Sequence, residues 1–363
     1  MTSCGKGSDN NNYMKNKCAI MERRYYASFV MALFLLCAIQ VNAQNLQLIS
    51  IADSIVKYQL DNGGWVKNQN WENGPDALYI SGCNQAGIGA CIDNKATWGE
   101  MLHLATAFSM QGNEKYRQSF IKGLKYLLSA QYANGGWPQY FPARGKGHYS
   151  SHITFNDGAM IGVIRLMRDI SLLRNPYSSL NLSDTLVASA KQAYEKGIEC
   201  ILNCQIVIDG KTTVWCQQHD SVNLLPVQGR TYELPSFSGH GETADILNLL
   251  MDIDNPTKQV IRSVEAGVSW LIDHEMKDVA LEHFINNEGQ SDIRLVRSEG
   301  AKRLWARYYD LENAEPFFCG RDGILQRHIR DIDYERRMGY SWLGNSPAKV
   351  IERYEEWRLR NLF

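Results

Sequence analysis

The stretch QYANGGWPQY, residues 131–140, follows an apolar run of helical period, and its outline recurs as LDNGGWVKN at residues 60–68. Both copies place Asn-Gly-Gly-Trp directly after a helical pattern. Glycine at a helix end permits the left-handed residue that stops a helix, and the tryptophan beyond it can pin the loop to the core. Helix, Gly-Gly-Trp turn and helix, repeated, is the signature of stacked helical hairpins. The expected fold is all-α dominated: an (α/α) toroid or partial (α/α) barrel, with a few short β-strands and long functional loops.

The segments around these two turns agree. TWGEMLHLATAFSMQGNEKYRQSFIKGLKYLLSA reads as two helices parted at Gln-Gly-Asn-Glu. Further helices are expected after the Asn-Asp of HITFNDGAMIGV, after a Ser183 cap, and in GETADILNLLMDI, TKQVIRSVEAGVSWLIDHEM and SPAKVIERYEEWRLRNLF. Strand signals are short: KTTVWCQQ, LEHFI and DIRLV. No linker-like stretch interrupts residues 44–363, which are read as a single catalytic domain.

The N-terminus has a different grammar. From Met21, an alternative start, a basic pair (Arg23, Arg24) precedes an apolar run from Phe29 to Ile39 and the small-residue pattern Val41-Asn42-Ala43. That is a secretory signal peptide ending at residue 43, and its apolar run is short for a membrane span. Export to the periplasm, cell surface or medium is expected, with no membrane span after signal removal.

Removing residues 1–43 leaves 33 Lys and Arg against 37 Asp and Glu, a net charge of −4. With no basic excess and no polybasic block, a nucleic-acid partner is not expected. A polyanionic ligand would need positive charge concentrated locally. Six cysteines remain: Cys83 and Cys91 could close a small loop, whereas Cys200 and Cys204 share a helical face and suit burial.

Polar residues cluster in the loops between helices. One cluster holds Asp93, Asn94, Thr97 and Glu100, and another Asn156 and Asp157. A third holds Gln218, His219, Asp220, Arg230, Glu233, Ser236, Ser238 and Glu242, and a fourth Arg303, Arg307, Tyr308, Glu315, Arg321 and Asp322. Asp93 and Asp157 suit helix capping, and together they also offer hard oxygens for Ca²⁺. His219 suits a general base or a hydrogen-bonded core histidine. Arg303 and Arg307, four apart, would share a helix face and clamp carboxylates. Glu233 and Glu242 admit a two-carboxylate glycosidase.

The motifs NGGWPQYFP, IDNKAT, ITFNDGAM, WCQQHD with GRTYELPSFSGHGE, and WARYYDLENAEPFFCGRDG resemble the family-ten pectate lyases, in order and from about residue 50 to the C-terminus. The resemblance implies a toroid-type fold and Ca²⁺-assisted β-elimination on polygalacturonate. It places Arg230 as the catalytic base, Asp93 and Asp157 at calcium and the substrate carboxylate, and Arg307 and Arg321 on substrate; Asn94, His219 and Arg303, from the same clusters, are also expected to contact substrate. The family pattern continues with Thr where this chain has Trp98. A guanidinium is an awkward base, since its pKa lies above about 12.

Two other functions stay open on the residues: a hydrolase on the same scaffold using Glu233 or Glu242 with Asp220, and a non-catalytic pectate-binding protein. Toroids of this kind host several chemistries. A monomer is expected.

Overall fold

The computed structural model describes Gln40, residues 43–145 and residues 147–361. The expected leader lies almost wholly outside the described residues. Residues 43–57 form the first helix, α1. It is followed by α2 (Ala77–Ala86), α3 (Trp98–Gln111), α4 (Glu114–Ala130), α5 (Ala159–Ser171), α6 (Asp184–Cys204), α7 (Glu242–Met251), α8 (Lys258–Asp273), α9 (Tyr334–Gly339) and α10 (Ser346–Asn361). Strands are short, the longest being the hairpin Val279–Ile285 with Ser291–Arg297. The mainly helical expectation holds, and so does the Ser183 cap, whose hydroxyl accepts from the Leu186 N–H.

Burial separates the helices into two kinds. In α5 nine residues, among them Met160, Val163, Ile164 and Met167, are buried, and α7 buries Ile246, Leu247, Leu249 and Leu250. In α4, α6 and α8 one stripe is buried and the other face meets solvent, the pattern of an outer layer. The chain alternates between the layers: α3 packs on α4, α5 on α6, and α7 on α8 and α10.

The Gly-Gly-Trp turns act differently from the expected helix caps. α4 stops at Ala130 with an extended Gln131, and the glycines lie four and five residues further on. There they close a tight turn: Tyr132 N–H donates to Gly136 O, and Asn134 Oδ1 accepts from the Gly136 N–H. Gly135 has φ +90°, and any Cβ on it would collide with the Lys196 carbonyl of α6, so only glycine lets the turn lie on the next outer helix.

The anchoring unit also recurs more often than the sequence motif. Trp65 Nε1 donates to Ile55 O and Trp137 Nε1 to Leu127 O, each reaching back into the preceding outer helix. Trp215 does the same to Ile201 O, and Trp305 to Leu271 O, without any Gly-Gly before them. A glutamine accompanies the first three. Gln59, Gln131 and Gln205 each donate to their own turn and also to a carbonyl of the next outer helix, at Ser119, Ala193 and Ser263. These bonds join α1 to α4, α4 to α6 and α6 to α8.

Two further expectations change. Cys83 and Cys91 are both buried free thiols, so no small disulfide loop forms, while Cys200 and Cys204 are buried 4.0 Å apart. Arg303 and Arg307 do not share a helix face. Their segment is extended, with strands Trp305–Ala306 and Tyr308–Tyr309, because the alternating apolar residues of LWARYY pair with Leu343–Gly344 and with Pro316–Phe317.

Candidate active site

After the first three Trp anchors the chain returns to α3, α5 and α7 through polar turns, and these turns meet where the three helices begin. Asp93 precedes α3 on a short 3₁₀ turn, Asn156 and Asp157 precede α5, and Glu242 opens α7. Asn94, Lys95, Thr97 and Asp157 all have positive φ (50°, 68°, 67° and 51°), a conformation that non-glycine residues hold only where their surroundings enforce it. Thr97 provides part of that enforcement. Its buried hydroxyl donates to Cys91 O and accepts from Trp65 N–H, tying the turn to the first anchor. Neither Asp93 nor Asp157 caps a helix, which leaves both carboxylates to other partners.

Asp93 is buried; Lys67 pairs with its Oδ2, and its buried Oδ1 has no partner among the described residues. Asn94 instead donates to Asn68 Oδ1 on the exposed rim. Asp157 is half exposed, and burial pushes its pKa up; Glu242 and Asp93 push the same way, against Arg307 and Arg230. Four charged groups from distant parts of the chain therefore act on this one carboxylate. A cavity of about 350 Å³ opens beside it, lined also by Lys95, Trp98 and Asp245.

Arg307 bridges the turns. Its buried Nη2 donates to Asn156 Oδ1 at 2.9 Å and Glu242 Oε1 at 2.6 Å, and stands 4.0 Å from Asp157 Oδ1. Burial alone would lower its pKa, but Glu242, Tyr308, Tyr340 and Asp157 hold it well above the usual value. Glu242, in the first turn of α7, is held in turn by Arg307 on Oε1 and by the Ser238 hydroxyl, which donates to its Oε2 at 2.6 Å.

Arg230 is clamped by one carboxylate. Glu233, fully buried, accepts the Arg230 backbone N–H on Oε2 at 2.8 Å, and both Nε–H and Nη2–H on Oε1. Among the described residues Nη1 has no partner. Burial tends to lower the Arg230 pKa, and Glu233 more than reverses it, leaving the guanidinium firmly protonated. The Tyr308 hydroxyl donates to Gln217 Oε1 and accepts from the Tyr340 hydroxyl at 2.6 Å, which also stands 3.3 Å from Glu233 Oε1.

Arg321 stands on the rim, held by both oxygens of Glu335, which also binds Arg336; the two arginines draw the Glu335 pKa down to about 2. Arg230, Arg321 and Arg336 all lie within 6 Å of the Tyr232 ring centroid, a basic cluster around one aromatic face. Arg336, Tyr232 and Tyr340 were not singled out in the sequence. Arg336 lies in YERRMGY, where a charge pair reads as an ordinary solvated face.

Two expected substrate ligands are not brought to this centre. His219 is fully buried: its Nε2 accepts from Cys216 N–H and its Nδ1 faces Leu224 O, so both ring nitrogens are spent on main chain. Burial lowers its pKa to about 4, leaving a neutral structural imidazole. Arg303 is drawn away to Glu275, beyond the end of α8. The hydrolase pair is not formed either. Glu233 and Glu242 are each paired with an arginine, and Asp220 accepts from the N–H groups of Val222 and Asn223 in its own turn.

A family profile described as pectic acid lyase matches residues 59–351. Among solved structures, a family 10 polysaccharide lyase from Cellvibrio cellulosa is 32% identical, with a TM-score of 0.74 over 85% of this chain and 91% of that one. A mutant of a Cellvibrio cellulosa family 10 lyase in complex with trigalacturonic acid is equally similar, at 32% identity and a TM-score of 0.74 over 85% and 92% of the two chains. No curated protein matches the sequence.

Proposed function

The chain belongs to the pectic acid lyase family, and from that premise we infer that this pectate lyase cleaves α-1,4-polygalacturonate by Ca²⁺-assisted β-elimination. The observation that carries the reading is Arg307 where the turns before α3, α5 and α7 meet, donating to Asn156 and Glu242 and standing 4.0 Å from Asp157. Helix N-termini and arginines together favour an anionic substrate, because they concentrate positive potential locally in a net acidic chain.

In the reaction the C5–H bond breaks, its electron pair forms the C4=C5 double bond, and the C4–O bond opens to a leaving oxygen that takes up a proton. Arg230 is assigned the C5 proton. Glu233 decides which nitrogen can receive it: Nε and Nη2 keep their hydrogens for the carboxylate, so a neutral guanidine carries its lone pair on Nη1. The same carboxylate keeps the neutral fraction small near pH 7, so turnover rises with pH. Arg307 and Arg321 are assigned to substrate carboxylates, Arg321 by exchanging Glu335 for a uronate.

For calcium, the donor set fits an ion completed by substrate rather than a closed cage. Among the described residues Asp93 has a buried oxygen with no partner and Asp157 a half-exposed carboxylate, while no cluster of three or more His, Cys, Asp or Glu there could hold a metal. Asp93 and Asp157 would hold it, with substrate and water oxygens filling the remainder. When bound, it supplies positive charge against the enolate-like transition state.

The same reading makes the ring of outer helices a partial (α/α) toroid, and the protein an exported monomer. Among the described residues no helix is long and apolar enough to cross a membrane. Incubation with polygalacturonate, followed by ultraviolet absorbance of the unsaturated product, tests the reaction. Absorbance that rises and is abolished by chelator is expected; new reducing ends without absorbance would replace the lyase with a hydrolase. An Arg230→Lys enzyme with near-normal turnover at saturating calcium would remove the base assignment.

A further inference from the structure

Arg144 differs from the arginines assigned to the reaction. Arg230, Arg307 and Arg321 are each neutralised by a glutamate, whereas Arg144 has no carboxylate in ion-pair range among the described residues. It is nevertheless oriented. Its guanidinium lies 3.9 Å from the Tyr140 ring centroid, Nη2 donates to the Tyr140 hydroxyl at 2.8 Å, and its backbone N–H is fixed by the buried Ser150 hydroxyl. A cation held in place without a counter-charge is ready for an external anion.

Its support connects directly to the active centre. Tyr140 is buried and bridges across to Cys91, two residues before Asp93, and the Ile92 N–H donates to Gln139 O beside it. Lys67, which pairs with Asp93, has its Nζ 6.0 Å from the same Tyr140 ring. Arg144, Tyr140, Lys67 and Asp93 thus form one continuous series, whereas Arg307 stands against Asp157, 4.0 Å from its Oδ1.

We propose that Arg144, posed on Tyr140, is a binding subsite for the carboxylate of a second galacturonate unit, on the side of Asp93 that carries Tyr140 and Lys67. This rests on the reading of the site as a polygalacturonate cleft. The planar fork of a guanidinium matches a uronate carboxylate in two-pronged fashion, and esterification of that carboxylate would remove the match. The subsite lies away from the reacting atoms, so it serves binding uniformly rather than the chemical step.

The test compares wild type, Arg144→Ala and Arg144→Lys by turnover on polygalacturonate and by calorimetric binding of oligogalacturonate in an Arg230→Ala background. Arg144→Ala should raise KM about tenfold with kcat unchanged, weaken oligogalacturonate binding to a similar degree, and be partly rescued by lysine. Arg144 is exposed, and circular dichroism should show the fold retained. Unchanged KM and unchanged binding would overturn the subsite, as would a fall in kcat with KM constant. If wild type binds oligogalacturonate but yields no unsaturated product, the lyase reading fails and binding alone decides the subsite.

Discussion

Replacing Glu233 with glutamine isolates what the buried carboxylate does for Arg230. Glutamine keeps one oxygen for Nε–H and Nη2–H but turns an amide NH₂ toward the Arg230 N–H, which now donates to Oε2 at 2.8 Å. Orphaning that N–H costs about 1–3 kcal/mol. The lost charge–charge part adds less, because the Arg230 side chain is 39% exposed and water screens it. A net destabilisation of about 2 kcal/mol is expected, which a protein of ordinary stability survives. Two catalytic effects should follow with different signatures. The guanidinium loses its fixed pose, and kcat falls about 100-fold. The negative neighbour is also gone, so the Arg230 pKa drops and the rise of activity with pH moves to lower pH. Initial rates of unsaturated-product formation across a pH series, with denaturant melts alongside, measure both. A variant with kcat within about twofold of wild type, or a reduced kcat with an unmoved pH profile, would refute the role given to Glu233.

Glu100 offers a second pH test. Its carboxyl lies in the core with only Trp71 Nε1 as a side-chain donor, and burial raises its pKa to about 7. A raised folded pKa contributes stability that is complete below the unfolded value near 4.5 and is lost as pH climbs through 7. Glu100→Gln should therefore gain on wild type by up to about 3 kcal/mol between pH 5 and 9, and parallel stability curves from denaturant melts would contradict this. Trp215→Phe should cost as much as Trp137→Phe, about 1–3 kcal/mol each from an orphaned helix carbonyl. A negligible loss at Trp215 alone would show that it is not an equivalent anchor.

The helical layers were legible because their amphipathic periods and the two Asn-Gly-Gly-Trp turns are local. The third and fourth anchors were not, since the hairpins Val207–Thr212 and Val279–Arg297 separate Trp215 and Trp305 from the helices they anchor to. A glutamine six residues before Trp65 and Trp137 was a visible signal that went unread. At the site, the charged residues were found but their partners were not. The sequence presents Glu233 and Glu242 as free acids, and only the fold shows each spent on an arginine. The four-residue spacing of Arg303 and Arg307 mimics a helix turn in a segment whose alternation makes it a strand.

The four tryptophan anchors also bear on how such a scaffold changes over time. Each fixes where the chain leaves an outer helix, and the next inner helix fixes where it must return. What lies between is constrained only at its two ends, so a connection can lengthen at small entropic cost. The connections in this chain already differ in size: α2 lies between Trp65 and α3, and several strands and α9 follow Trp305, while the Trp65 and Trp305 bonds are alike. Mutational drift in substrate preference should therefore appear as insertions and exchanges behind the anchors, while the anchors themselves stay fixed.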